Sequence, residues 1–131
     1  MDPVGLGRIL LIEDDSVIAE MYRLKLESQG WELEVAWDGE SGLRSALKSR
    51  PALVLLDIML PGLNGIEVLR GLRAAGSTRD VPVLIVSNSA GGGRGVREAR
   101  ALGIAGWLIK ARITPAGLAA RVARILPPSN S

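Results

Sequence analysis

The stretch LLDIMLPGLNG, residues 55–65, closes an aliphatic run that begins at Ala52, sets a bare carboxylate, Asp57, at its end, and turns at once through Pro61, Gly62 and Asn64. A short unbroken apolar run bounded by turn residues is the pattern of a strand buried on both faces. A carboxylate at the buried end of such a strand costs several kcal/mol unless an opposite charge compensates it. The rest of the chain must therefore supply helices to cover the strand and a partner for Asp57.

Four further runs lie on either side of it, at Arg8–Ile12, Glu32–Ala36, residues 83–86 and Gly106–Ile109, and stretches of helical spacing separate them. Strands alternating with helices predict a parallel sheet covered on both faces. WELEVAW, residues 31–37, alternates apolar and polar side chains, as an edge strand with one wet face does.

The first helix is predicted over residues 16–29, with Val17, Ile18, Met21 and Leu24 on its inward side and Gly30 as its stop. The second, Gly39–Ser49, follows Asp38 as N-cap, buries Leu43, Ala46 and Leu47, and ends before Pro51. The third opens at Asn64, which forms a capping-box pair with Glu67, and buries Ile66, Leu69 and Leu72. The fourth, Arg94–Leu102, follows the glycines at 91–93, which suit a specially shaped loop. In the last, Thr114 caps, Pro115 starts the first turn, and Leu118, Val122 and Ile125 face inward. Residues 1–7 and 127–131 are expected to be disordered ends or linker remnants, leaving one domain over 8–126 with no internal repeat.

Composition narrows the chemistry. With 131 residues the chain can bury a full core without metal or disulfide staples, and it has neither cysteine nor histidine. Any reaction must run on carboxylates, hydroxyls, lysine and backbone. Its 16 Lys and Arg against 14 Asp and Glu leave +2, too little to imply nucleic acid or an anionic membrane. No apolar run approaches the ~20 residues of a membrane span, and no signal-peptide core opens the chain. A cytoplasmic location is expected.

In an open α/β sheet, ligands bind beyond the carboxyl ends of the strands where strand order reverses. Past the first strand stand Glu13, Asp14 and Asp15; past the third, Asp57; past the fourth, Ser87; past the fifth, Lys110. In the order 2-1-3-4-5 the acidic triplet faces Asp57. Carboxylates so crowded cannot all stay ionised without a cation, which points to Mg²⁺, a hard ion that joins carboxylates to phosphate oxygens. Lys110 and Ser87 would then meet the remaining phosphoryl oxygens, with Asp57 the candidate nucleophile. Asp15, and to a lesser degree Asp14, also suits capping of the first helix.

At this point nearly the whole chain resembles the receiver domain of two-component response regulators, through ILLIEDD, LVLLDIMLPGLNG, PVLIVSNSA and GWLIK in that order. The resemblance implies a flavodoxin-like, doubly wound (βα)5 sandwich. It implies Mg²⁺ on Glu13, Asp14, Asp57 and the carbonyl of Met59, a phosphoryl group accepted by Asp57, and Ser87 and Lys110 bound to that group. Ser87 and Trp107 would form the switch. The implied partners are a sensor histidine kinase or phosphotransfer protein and a downstream target or effector domain, with a possible homodimer through the last helix and strand. Direct contact with nucleic acid or membrane is not expected.

Three residues depart from that family. Trp107 stands where a smaller aromatic is usual, and its bulk is expected to block an inward swing; Asn88 replaces a small residue after the switch hydroxyl. Ala111 follows Lys110 in place of proline; a cis bond without proline costs ~3 kcal/mol, so a trans bond and a reshaped loop are expected. These departures motivate a competing expectation, a receiver-like binding module that signals without phosphate. A phosphatase of the aspartyl-phosphate kind would need an acid two residues after Asp57, where Met59 stands. GGGRG, residues 91–95, has neither the spacing nor the position of a dinucleotide-binding loop.

Overall fold

A computed structural model describes residues 8–88 and 94–127. Five strands alternate with five helices: β1 (Arg8–Ile12), α1 (Ser16–Glu27), β2 (Glu32–Ala36), α2 (Gly39–Ser49), β3 (Leu53–Leu56), α3 (Gly65–Ala74), β4 (Val83–Ser87), α4 (Arg94–Leu102), β5 (Gly106–Ile109) and α5 (Pro115–Ile125). The strands form one parallel sheet in the order β2-β1-β3-β4-β5. The expected leader at 1–7, the glycines at 91–93 and the last four residues lie outside the described residues.

The two-residue period of a strand splits the core into two layers. Ile9, Leu11, Leu53, Leu55, Leu84 and Val86 face α1 and α5, while Leu10, Ile12, Val54, Leu56, Val83 and Ile85 face α2, α3 and α4. Every residue of β3 is fully buried, as its unbroken aliphatic run predicts. Trp31 lies in the first layer and its indole N–H donates to the carbonyl of Leu126 at 3.2 Å, tying the start of the edge strand β2 to the end of α5.

Helix ends follow the predicted chemistry. The exception is α1, which ends two residues earlier than its sequence predicts, at Glu27 with Ser28 as C-cap, so that Gly30 takes its left-handed φ of 104° in the turn beyond the cap. Asn64 and Glu67 close a capping box on α3, and Thr114 accepts from Gly117 N–H at 2.9 Å at the start of α5.

Two helix faces differ from expectation. Val17, Met21 and Leu24 are 74%, 43% and 56% exposed, and α1 instead buries Ala19, Tyr22 and Leu26. Apolar residues recur at helical spacing on both faces of α1, and the small Ala19 marks the side that lies close to the sheet. In α2, Leu47 points outward at 39% exposure. There Gly42 sits so close on Ile12 that a β-carbon would stand 2.6 Å from Ile12 Cδ1, and this contact sets the helix's inward face.

At the opposite end of the sheet from the strand C-termini, Arg73 holds two loops together. Its guanidinium donates to the carbonyls of Leu102 at 3.0 Å, Gly103 at 2.9 Å and Val81 at 2.8 Å. No helix among the described residues is long and apolar enough to cross a membrane.

Candidate functional site

Strand register assembles the site. Ile12 pairs with Leu56, so Glu13 and Asp57 leave the sheet side by side; Ser87 pairs with Ile109, so Lys110 emerges one step past Ser87. Backbone bonds hold the exits, from Asp57 N–H to Ile12 O at 3.1 Å and from Glu13 N–H to Ala36 O at 3.0 Å. Glu13, Asp57 and Ser87 are 1%, 4% and 0% exposed, whereas Asp14 is exposed.

Lys110 compensates the buried acids. Its Nζ lies 2.6 Å from Glu13 Oε1 and 2.8 Å from Asp57 Oδ2. Burial alone would lower the lysine's pKa, but its hydrogen bonds to Asp57 and Glu13 outweigh that and leave it raised. Burial pushes Glu13 up, against the lowering by Lys110 and by the Asp15 N–H. One ammonium thus serves two carboxylates, and Glu13, Asp14 and Asp57 each offer an oxygen within 4.8 Å of the others. An all-oxygen set of three carboxylates, one of them open to solvent, fits a hard divalent cation that keeps several waters.

The two neighbouring aspartates divide their work. Asp15 caps α1, accepting from Val17 N–H at 2.9 Å and Ile18 N–H at 3.1 Å, while its own N–H donates to Glu13 Oε2 at 3.0 Å. Asp14 is therefore relieved of the capping role and belongs to the acidic cluster.

The loop after β3 presents Asp57. Met59 N–H donates to Asp57 Oδ1 at 3.1 Å, and Gly65 N–H donates to Ile58 O at 2.9 Å, closing the loop on itself. Gly65 lies against the Asp57 carbonyl, and a β-carbon there would stand 2.6 Å from Ile58 Cα. The NG ending of the opening stretch is thus a close-approach device as well as a helix start, a contact that sequence alone did not reveal.

Residues 9–123 match the response regulator receiver domain. The chain belongs to that family. Among curated relatives, the receiver is 44% identical over 80 residues to the DNA-binding response regulator MtrA of Mycobacterium tuberculosis, covering 61% of this chain and 34% of that protein. It is 43% identical over 83 residues to the uncharacterized transcriptional regulatory protein YkoG of Bacillus subtilis, covering 63% and 36%. The matched stretch thus spans about a third of the length of these relatives. Among solved structures, the chemotaxis response regulator CheY4 of Vibrio cholerae aligns with a TM-score of 0.83 at 27% identity, covering 92% of this chain and 99% of that one.

Two of the departures in this receiver account for each other. The Lys110–Ala111 bond is trans, and Lys110–Arg112 forms a short 3-10 turn. The Ala111 N–H, which a proline would lack, donates to Asn88 Oδ1 at 3.1 Å. Asn88 therefore ties the exit of β4 to the exit of β5, and its carbonyl oxygen is turned to the β5 loop. Trp107 is half-buried and packs on the layer beneath α3 and α4.

Proposed function

We propose that this receiver takes a phosphoryl group onto Asp57 from the phosphohistidine of a sensor histidine kinase or phosphotransfer protein. The observation that carries the reading is Asp57, 4% exposed, held between Lys110 at 2.8 Å and the carboxylates of Glu13 and Asp14. Glu13, Asp14, Asp57 and the Met59 carbonyl would hold Mg²⁺, which when bound neutralises charge on the phosphoryl oxygens.

An Asp57 oxygen attacks phosphorus; the bond from phosphorus to the donor's histidine nitrogen breaks, and the nitrogen keeps its electron pair. Lys110 exchanges Asp57 Oδ2 for a phosphoryl oxygen, so the buried ammonium keeps an anionic partner throughout. The Ser87 hydroxyl donates to a second phosphoryl oxygen. Because Ser87 ends β4 and Lys110 directly follows β5, a group that draws both inward biases the surface built from α4, β5 and α5 toward a state that binds a downstream protein. The exposed stripe Val17, Met21 and Leu24 begins beside the acidic rim and suits a protein donor.

Beryllofluoride with Mg²⁺ mimics the acyl phosphate. It is expected to shift amide resonances along α4, β5 and α5, and Asp57→Asn is expected to abolish those shifts; unchanged spectra of the unsubstituted chain overturn the reading. Packed Trp107 and the Asn88 link favour a second reading, a binding module indifferent to phosphate. That reading requires partner binding with no hydroxylamine-labile phosphate on Asp57.

A further inference from the structure

Charge is unevenly placed along this chain. Residues 94–131 hold seven of its 16 Lys and Arg but one of its 14 Asp and Glu, Glu98. Glu98 turns toward α3, where it pairs with Arg70 at 2.5 Å. At 100° per residue, Arg97 and Arg100 then lie on the side of α4 away from α3, and both are exposed. Arg112 is exposed in the turn after β5. From the other face of the sheet, Arg121 of α5 reaches the edge strand: its Nη2 lies 2.9 Å from where a β-carbon on Gly106 would stand. Arg124 is exposed one turn further on. Among the described residues, none of these five arginines forms an ion pair.

Five guanidinium groups without an ion pair among the described residues thus flank β5, one of the two edges of the sheet, with half-buried Trp107, Ile109 and Ile113 among them. We infer that this strip is a docking surface for an acidic segment of a protein partner. Guanidinium forks match carboxylates in two-point contact. Apolar side chains ringed by charge are the anatomy of a protein interface, whereas a phosphodiester backbone would gain nothing from the apolar floor.

A second copy of the chain fits poorly. A two-fold contact through the strip would set the same five cations against themselves. For a head-to-tail contact, residues 1–93 offer no net excess of acids outside the rim cluster of Glu13, Asp14, Asp15 and Asp57, nine acids standing against nine bases. The inference names the partner chemistry of the output surface proposed above. It is tested on the unphosphorylated chain, so it can fail while the phosphoacceptor reading stands.

The test is fluorescence anisotropy of the full chain with three labelled probes: a peptide of alternating Glu and Leu, the same peptide with Gln for Glu, and a random-sequence DNA duplex. The Glu peptide is expected to bind at least about tenfold more tightly than the Gln peptide and the duplex, and to weaken with salt. Arg100→Glu with Arg124→Glu should weaken it about tenfold, two exposed pairs being replaced by repulsions. Sedimentation should show a monomer. Equal binding of the Glu and Gln peptides overturns the inference. So does tighter, arginine-dependent binding of the duplex, or a dimer that the charge reversals break.

Discussion

Replacing Gly65 with alanine tests whether the loop that presents Asp57 depends on close backbone approach. The new β-carbon would stand 2.6 Å from Ile58 Cα, and the obstructing atoms are backbone that no rotamer change can move. Forcing the loop outward costs ~1–3 kcal/mol as an overpacked contact. Stretching the 2.9 Å bond from Gly65 N–H to Ile58 O adds about 1 kcal/mol if it breaks. Better helix propensity returns less than ~1 kcal/mol at this first helical position. The net is a loss of roughly 2–3 kcal/mol, or about 10 °C in Tm for a domain of this size. Gly76 is the matched control, because nothing lies within 4 Å of a β-carbon there; Gly76→Ala should change stability by less than ~0.5 kcal/mol. Urea melts of the two variants provide the comparison. If Gly65→Ala is as stable as Gly76→Ala, the loop does not rest on this approach.

Lys110→Ala leaves Glu13 and Asp57 without their ammonium and should destabilise the chain by about 3 kcal/mol in chelator, with Mg²⁺ restoring part of the loss; urea melts with and without Mg²⁺ would show no such rescue if the carboxylates do not share a cation. Asn88→Ala should cost about 1 kcal/mol, and the cost should vanish where Ala111→Pro has already removed the N–H, a coupling that a double-mutant cycle reads directly. Asp38 accepts from Ser41 N–H at 2.8 Å, and that bond holds its carboxyl below the ordinary 3.8. A depressed pKa in the folded chain means stability that is present above the unfolded value and lost as pH falls through the folded one. The advantage of the unsubstituted chain over Asp38→Ala should therefore shrink below about pH 4 in circular-dichroism melts, and a constant advantage there would contradict it.

Most of the architecture was legible because it rests on local pattern. The unbroken aliphatic runs at β1, β3 and β4 specify buried parallel strands, and the polar alternation of β2 marks an edge. Rim residues were legible for the same reason: in a parallel sheet, whatever follows each strand gathers at one end, so Glu13, Asp57, Ser87 and Lys110 could be placed together without knowing the helices.

What the sequence does not show depends on contacts between distant residues. α1 carries apolar side chains on two faces, and only its approach to the sheet through Ala19 decides which is inward. Gly42 and Gly65 look like ordinary helix-start residues until Ile12 and the Asp57 carbonyl are placed against them. Asn88 and Ala111 each looked like a defect, and their hydrogen bond spans 23 residues. The sharing of Lys110 between Glu13 and Asp57 likewise needed coordinates, since position along the strands says only that the three are near.

The central claim, that Asp57 is poised to accept a phosphoryl group, is tested most directly by intact-mass analysis after incubation with acetyl phosphate and Mg²⁺. The account predicts one added phosphoryl group that hydroxylamine removes, that maps to Asp57, and that is absent from Asp57→Asn. A chain that gains no phosphate, or gains it on another residue while Asp57 stays unmodified, would contradict it.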